Sequence, residues 1–81
     1  MNIKAAERKE LAALVGVGEQ YLYQCLTGRK DMRPDEAVRV ERDSEGRLRR
    51  WHLRSNDWWR IWPELVGSEG APDVMAAAQE P

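Results

Sequence analysis

A pair of glycines that separates two helical patterns constrains this sequence more than any other feature. The first pattern, residues 3–15, contains no glycine or proline and is rich in Ala, Leu, Glu, Lys and Arg, which are good helix formers. Gly16 ends it, and a second helix begins near Gly18 or Glu19. In the second helix, the spacing i, i+3, i+4 predicts one apolar face made of Leu22, Cys25 and Leu26. On the first helix, the predicted apolar face consists of Leu11, Leu14 and Val15.

These two helices and the turn between them fit a helix-turn-helix over residues 8–27. Helices that cross closely need a small residue in the first helix, and Ala12 stands at that place. Four positions later the turn needs a residue that tolerates positive φ, which Gly16 supplies. Apolar residues flank the turn and continue into the second helix, namely Leu11, Val15, Val17, Leu22 and Cys25. The pattern predicts an element that binds DNA in many proteins, although some proteins use it without DNA.

The opposite face of the second helix is polar and carries little charge. Glutamine can pair with adenine in the major groove, and threonine can contact a base edge or a thymine methyl group. Glu19, at the helix start, can accept a hydrogen bond from cytosine N4 and otherwise repels phosphate. A solvent-exposed or protein-binding face is the alternative. We expect the base contacts to come from Glu19, Gln20, Tyr23, Gln24 and Thr27.

Basic residues flank the second helix on both sides. Arg29 and Lys30 follow it directly, and they predict phosphate contacts that position the helix. Arg8 and Lys9, with Lys4, predict phosphate contacts on the other side. Solvated charges are the alternative for each of them. Further along, four arginines form either a second basic edge or a set of salt bridges: Arg47, Arg49, Arg50 and Arg54.

The charge of the whole chain, −1, conceals an uneven distribution. All 13 Lys and Arg lie in residues 1–60 together with ten of the 14 Asp and Glu, which gives that segment a net charge of about +3. The remaining four carboxylates follow residue 60. Mild basicity permits nucleic-acid binding without demanding it.

The second half of the chain predicts further short helices. Pro34 opens a helix that runs to about Arg42 and buries Ala37 and Val40, with Val38 as a further candidate. A turn follows at residues 44–46, and both a short strand and a helical turn fit residues 47–53. A last helix over residues 57–62 ends before Pro63. Its expected N-terminal cap is either Ser55 or Asn56.

The predicted fold is all-α, a compact bundle of four to five short helices. Residues 1–66 form one DNA-binding domain, and residues 67–81 form a disordered acidic tail with transient helix over residues 74–79. Four tryptophans help to fill the small core in a chain without phenylalanine. Trp58 and Trp62 share a face and are expected in the core, whereas at least one of Trp51 and Trp59 is left for a dimer interface.

The chain resembles the λ-repressor-like helix-turn-helix superfamily, and more narrowly small phage Cro-like and YdaS-type antitoxin proteins. Three stretches carry the resemblance: residues 8–30, the helix at residues 34–42, and residues 53–65 with their Ile-Trp-Pro-Glu-Leu close. Relatives have a full helix before the helix-turn-helix, which is shortened or merged here. The resemblance implies a prophage-type repressor that binds a double-stranded DNA operator as a homodimer. The alternative is an antitoxin that binds a toxin protein through its C-terminal half.

Several function classes find no support in the sequence. A single cysteine, Cys25, excludes an intrachain disulfide and a zinc site built from cysteines, and we expect it in the core. His52, the only histidine, is expected at the surface. No phosphate loop, nucleophile–base pair or acidic metal cluster is present, so we expect no enzyme activity, no cofactor and no small-molecule substrate. No apolar run is long enough to span a membrane, and a cytoplasmic location is expected.

Overall fold

Glycine and proline residues set several helix ends in this structure, a computed structural model that describes residues 3–74. The first helix ends at Gly16, whose φ of 73° lies in the left-handed region, and the third begins with Pro34. Within the described range the chain forms five α-helices and no strand, which confirms the predicted all-α fold. In chain order the elements are α1 (Ala5–Val15), α2 (Glu19–Leu26), α3 (Pro34–Asp43), α4 (Arg50–Leu53), α5 (Trp58–Ile61) and a 3₁₀ turn (Pro63–Leu65).

The stretch for which a strand and a helical turn both fit the sequence forms α4. The Arg49 backbone N–H donates to His52 Nδ1 at 3.1 Å, and the Arg50 backbone N–H donates to Glu41 Oε2 at 3.3 Å. These acceptors satisfy backbone groups that a helix start leaves open. Because residues 3–74 contain no strand that could pair with this stretch, the helical turn is the conformation that satisfies its polar groups.

The core confirms the predicted inward face of α2 and corrects that of α1. Leu22, Cys25 and Leu26 are all buried. On α1, Ala12 is buried together with Leu11 and Val15, whereas Leu14 is 56% exposed. The buried face is centred between Val15 and Ala12, about 110° around the helix from Leu14 at 100° per residue. The prediction that Leu14 belongs to the core is therefore wrong.

The buried residues of α3 likewise confirm one part of the prediction and correct another. Ala37 and Val40 are buried as predicted, but Val38 is 40% exposed, so it is not a core residue. Two buried hydrophobic residues outside the helices were not identified from the sequence: Met32, before α3, and Leu48, before α4.

Tryptophans fill the C-terminal part of the core. Trp58 and Trp62 are buried as predicted, and the rings of Trp51 and Trp58 lie 5.7 Å apart between centroids. Trp51 is also buried, at 4% exposure, so Trp59 alone of the four is half-buried. The prediction of a side-chain cap at residue 55 or 56 is wrong, because Asp57 occupies the cap position and its side chain makes no cap hydrogen bond.

The chain stays in contact with the helical body beyond residue 66, where we predicted the tail to begin. Ala71 and Val74 are half-buried against the core, and a Cβ at Gly70 would lie 3.8 Å from the Trp51 ring. The rest of the predicted tail, residues 75–81, lies outside the described residues. Among the described residues, no helix is both long and apolar enough to cross a membrane.

Candidate nucleic-acid interface

The turn between α1 and α2 is tight and leaves α2 on the surface. The Ala12 carbonyl accepts from the backbone N–H groups of both Gly16 and Val17, the latter at 3.1 Å. Ala12 itself is buried, at 3% exposure. The Gly18 carbonyl accepts the Leu22 N–H at 2.9 Å and starts α2. The positive φ of Gly16 is the backbone conformation that the sequence pattern predicted for the turn.

The outward face of α2 carries hydrogen-bonding groups without formal charge. Its inward residues are at most 4% exposed, which leaves the opposite side to solvent. Gln20 and Thr27 are exposed, and Tyr23 and Gln24 are half-buried at the edges of this face. We call these four residues, Gln20, Tyr23, Gln24 and Thr27, the α2 face. Two amides, a phenol and a threonine can each donate and accept hydrogen bonds.

The end of α2 presents two cations directly beyond the α2 face. The Gln24 carbonyl accepts the backbone N–H groups of Arg29 and Lys30 at 2.9 and 3.1 Å, which turns the chain back toward the helix. The side chains of Arg29 and Lys30 are exposed. The Thr27 hydroxyl donates to the Tyr23 carbonyl at 2.9 Å, so this side chain offers a neighbouring molecule its methyl group and oxygen lone pairs.

The loop that carries these cations is held from the other half of the chain. Asn56 Nδ2 donates to the Gly28 carbonyl and to Asp31 Oδ1, both at 3.0 Å. Gly28 has a φ of 80°, and a Cβ there would lie 3.5 Å from Ser55 Oγ. The sequence predicts only a helix-cap role for Asn56. Its contact with Gly28 could not be predicted, because a partner about 28 residues away leaves no local signal.

Arg8 and Lys9, both predicted to contact phosphate, face different surroundings. Arg8 Nη2 lies 3.4 Å from Glu19 Oε1, and its guanidinium carbon lies 4.8 Å from the centre of the Tyr23 ring. Lys9 is exposed. The structure therefore brings Arg8 together with Glu19 and Tyr23 on α2, while Lys9 is exposed to solvent.

Tyr21 ties α2 to α3 behind the interface. Its hydroxyl donates to Glu36 Oε1 at 3.2 Å. Burial, together with the negative charges of Cys25 in its thiolate form and of Glu36, raises the pKa of Tyr21 to about 12. The phenol accordingly stays protonated and remains a donor at neutral pH. This contact links α2 to α3.

The four arginines of the possible second basic edge are all paired with carboxylates. Arg47 lies 3.4 Å from Glu7, and Arg54 Nη2 lies 2.7 Å from Asp57 Oδ2. Arg54 also donates to the Met32 carbonyl at 2.9 Å. The other two arginines, Arg49 and Arg50, share one carboxylate, that of Glu41, at 3.2 and 3.1 Å. Of the two readings that the sequence left open, salt-bridged placement is the one observed.

Two further titratable residues, Cys25 and His52, are withdrawn from solvent to different extents. Cys25 is a buried free thiol whose pKa is raised chiefly by burial, which disfavours the nucleophilic thiolate. His52, expected at the surface, is instead half-buried, and burial together with the Arg49 charge lowers its pKa. Residues 3–74 contain no group of three or more His, Cys, Asp or Glu that could hold a metal ion.

The sequence matches no protein-family model, and a search of curated proteins finds none that is significantly similar to it. The geometry of the α2 face and its neighbours is therefore the basis for inferring a function.

Proposed function

We propose that this chain is a sequence-specific repressor of the Cro-like, prophage type, which binds double-stranded DNA with α2 in the major groove. One observation carries the proposal: the α2 face is rich in uncharged hydrogen-bonding groups, and two exposed cations, Arg29 and Lys30, follow the C-terminal end of α2 directly. Lys9 on α1 is a further exposed cation. Cations that hold phosphates and neutral polar groups that read base edges are the two parts that sequence-specific DNA binding needs.

The dimensions of α2 are compatible with this role. Its eight residues span about 12 Å, because a helix rises about 1.5 Å per residue. The major groove of B-DNA is about 12 Å wide and admits an α-helix. Gln20 and Gln24 lie one turn apart on the α2 face, a spacing that suits contacts with neighbouring base pairs.

The proposed active form is a homodimer, as the resemblance to λ-repressor-like proteins implies. Two copies of α2 related by a two-fold axis would enter successive major grooves about 34 Å apart and would recognise a palindromic operator. Occupation of a promoter by this dimer would repress transcription.

Selection of bound duplexes from a random DNA pool, repeated at two salt concentrations, tests the proposal. The expected result is a palindromic sequence whose affinity falls steeply as salt rises, because cation–phosphate contacts release counterions. Failure of the folded protein to enrich any duplex at either concentration would overturn the proposal.

A second candidate, an antitoxin that binds a toxin protein, is favoured by the surface of the C-terminal half. Val66 is 47% exposed, and an open hollow of about 400 Å³ lies beside it. Its lining includes the apolar residues Val66, Ala71, Pro72 and Val74. Exposed apolar residues grouped at one place can contribute to a protein-binding surface. Co-purification with the product of a neighbouring gene, abolished by Val66→Asp but not by Gln24→Ala, would support this function.

A further inference from the structure

The contact between Arg8 and Glu19 joins α1 to the start of α2 at the edge of the proposed interface. The Arg8 side chain is 20% exposed and that of Glu19 is 41% exposed. Arg8 also packs over the Tyr23 ring, and its Nε is buried without a hydrogen-bond acceptor among the residues that the structure describes. Arg8 is therefore held against α2, whereas the Glu19 carboxylate remains accessible to a molecule that binds α2.

Glu19 is the one acidic residue among the five expected to face bases. A carboxylate whose charge is not compensated would repel the phosphates of DNA. A compensated carboxylate can instead accept a hydrogen bond from the N4 amine of cytosine in the major groove. Since Arg8 Nη2 contacts Oε1 of Glu19, the other carboxylate oxygen, Oε2, can accept from a base.

We propose that Arg8 is a positioning residue for DNA recognition, which compensates and orients the Glu19 carboxylate so that Glu19 reads a cytosine. In this role Arg8 acts through Glu19 and is not itself a phosphate contact. The inference rests on the proposed DNA-binding function and specifies one base of each half-site. It also explains why an acidic residue is compatible with an interface that approaches phosphates.

Four full-length proteins test the inference: the wild type, Arg8→Gln, Glu19→Gln and the double variant. Each is used to select duplexes from a random pool, and its affinity is measured for the selected duplex and for random duplexes. The wild type is expected to select cytosine at one position of each half-site, and Glu19→Gln to lose that preference. Arg8→Gln should weaken binding to both kinds of duplex roughly tenfold at low salt, because it exposes the charge of Glu19. In the Glu19→Gln background, Arg8→Gln should change the affinity for random duplexes by less than about twofold.

Lys9→Gln is the matched control, because it removes the same charge from the neighbouring, exposed position of α1. A cation that contacts phosphate directly should lose the same factor in affinity whether residue 19 is Glu or Gln. We therefore expect Lys9→Gln to weaken binding equally in both backgrounds and to reduce the salt dependence. Urea unfolding of every variant verifies that it is folded. If Arg8→Gln proves to be unfolded, Glu19→Gln by itself still tests the cytosine assignment.

Two results would overturn the inference. Equal losses from Arg8→Gln in the two backgrounds would assign Arg8 to a direct phosphate contact. Retention of the cytosine preference by Glu19→Gln, or its absence from the wild type, would show that Glu19 does not read that base. A wild-type protein that enriches no duplex at all would overturn the proposed function itself, an outcome distinct from both.

Discussion

Replacing Gly16 with alanine should destabilise the protein through its backbone alone. Gly16 has a φ of 73°, and a Cβ built there would have no heavy atom within 4 Å among its described surroundings. No steric clash with neighbours therefore contributes, and the cost is that of an L-residue in the left-handed region, about 1–2 kcal/mol. For a domain of this size, whose whole stability is on the order of 4–12 kcal/mol, that is a large fraction. The midpoint of thermal unfolding should fall by roughly 4–8 °C for each kcal/mol lost.

Urea unfolding of three variants followed by tryptophan fluorescence measures this cost. Gly16→Asn should lose less than Gly16→Ala, because asparagine tolerates the left-handed region better. Gly18→Ser is the matched control: Gly18 has an ordinary extended φ of −66°, and serine is an equal or better N-cap, so stability should not fall. A Gly16→Ala protein as stable as the wild type would refute the assignment of positive φ. Equal losses from Ala and Asn would instead point to a role other than backbone conformation.

Three further predictions concern the interface and the pH dependence of stability. Asn56→Ala should lower DNA affinity about threefold to tenfold, because it releases the loop that carries Arg29 and Lys30. Ser55→Ala, the control, should leave the affinity unchanged. Equal affinities for both variants in a binding titration would contradict this. Gln24→Ala should cost about 1–3 kcal/mol on the selected duplex and relax one base position, and equal weakening on random DNA would count against base readout. Because the pKa of His52 is lowered in the folded state, the unfolded state binds the proton more readily, and stability should fall as the pH drops below about 6.5 toward that lowered pKa. His52→Asn, which can keep an acceptor for the Arg49 N–H, should reduce this loss of stability between about pH 7.5 and 5.5, as measured by urea unfolding at both pH values. An unchanged pH dependence of stability would argue against His52 as its source.

Features set by local backbone chemistry could be predicted from the sequence. Gly16 and Pro34 fixed helix boundaries because φ preference is a property of the residue itself. The inward face of α2 followed from spacing, since only one side of that short helix carries a continuous apolar set. The outward polar face could be predicted for the same reason.

Features set by tertiary packing could not be predicted. Whether Ala12 or Leu14 faces the core depends on how α1 is rotated against its neighbours, and in the structure Ala12 is buried while Leu14 is exposed. Glu19 lies 11 residues from Arg8, and the two partners of Asn56 lie 28 and 25 residues away, at separations that leave no periodic signal. The wrong assignment of Asn56 to a helix cap followed from this limitation.

The arrangement of ion pairs bears on the proposed DNA binding by a chain whose net charge is −1. Four of the arginines after α3 pair with carboxylates: Arg47 with Glu7, Arg49 and Arg50 with Glu41, and Arg54 with Asp57. Their charges are partly compensated locally and contribute less field at a distance. Lys9, Arg29 and Lys30, by contrast, are exposed and form no ion pair with a carboxylate of residues 3–74. Screening at physiological salt acts within about 8 Å, so a bound phosphate would respond to these nearby cations more than to the net charge of the chain. Weak net basicity is therefore no argument against DNA binding by α2.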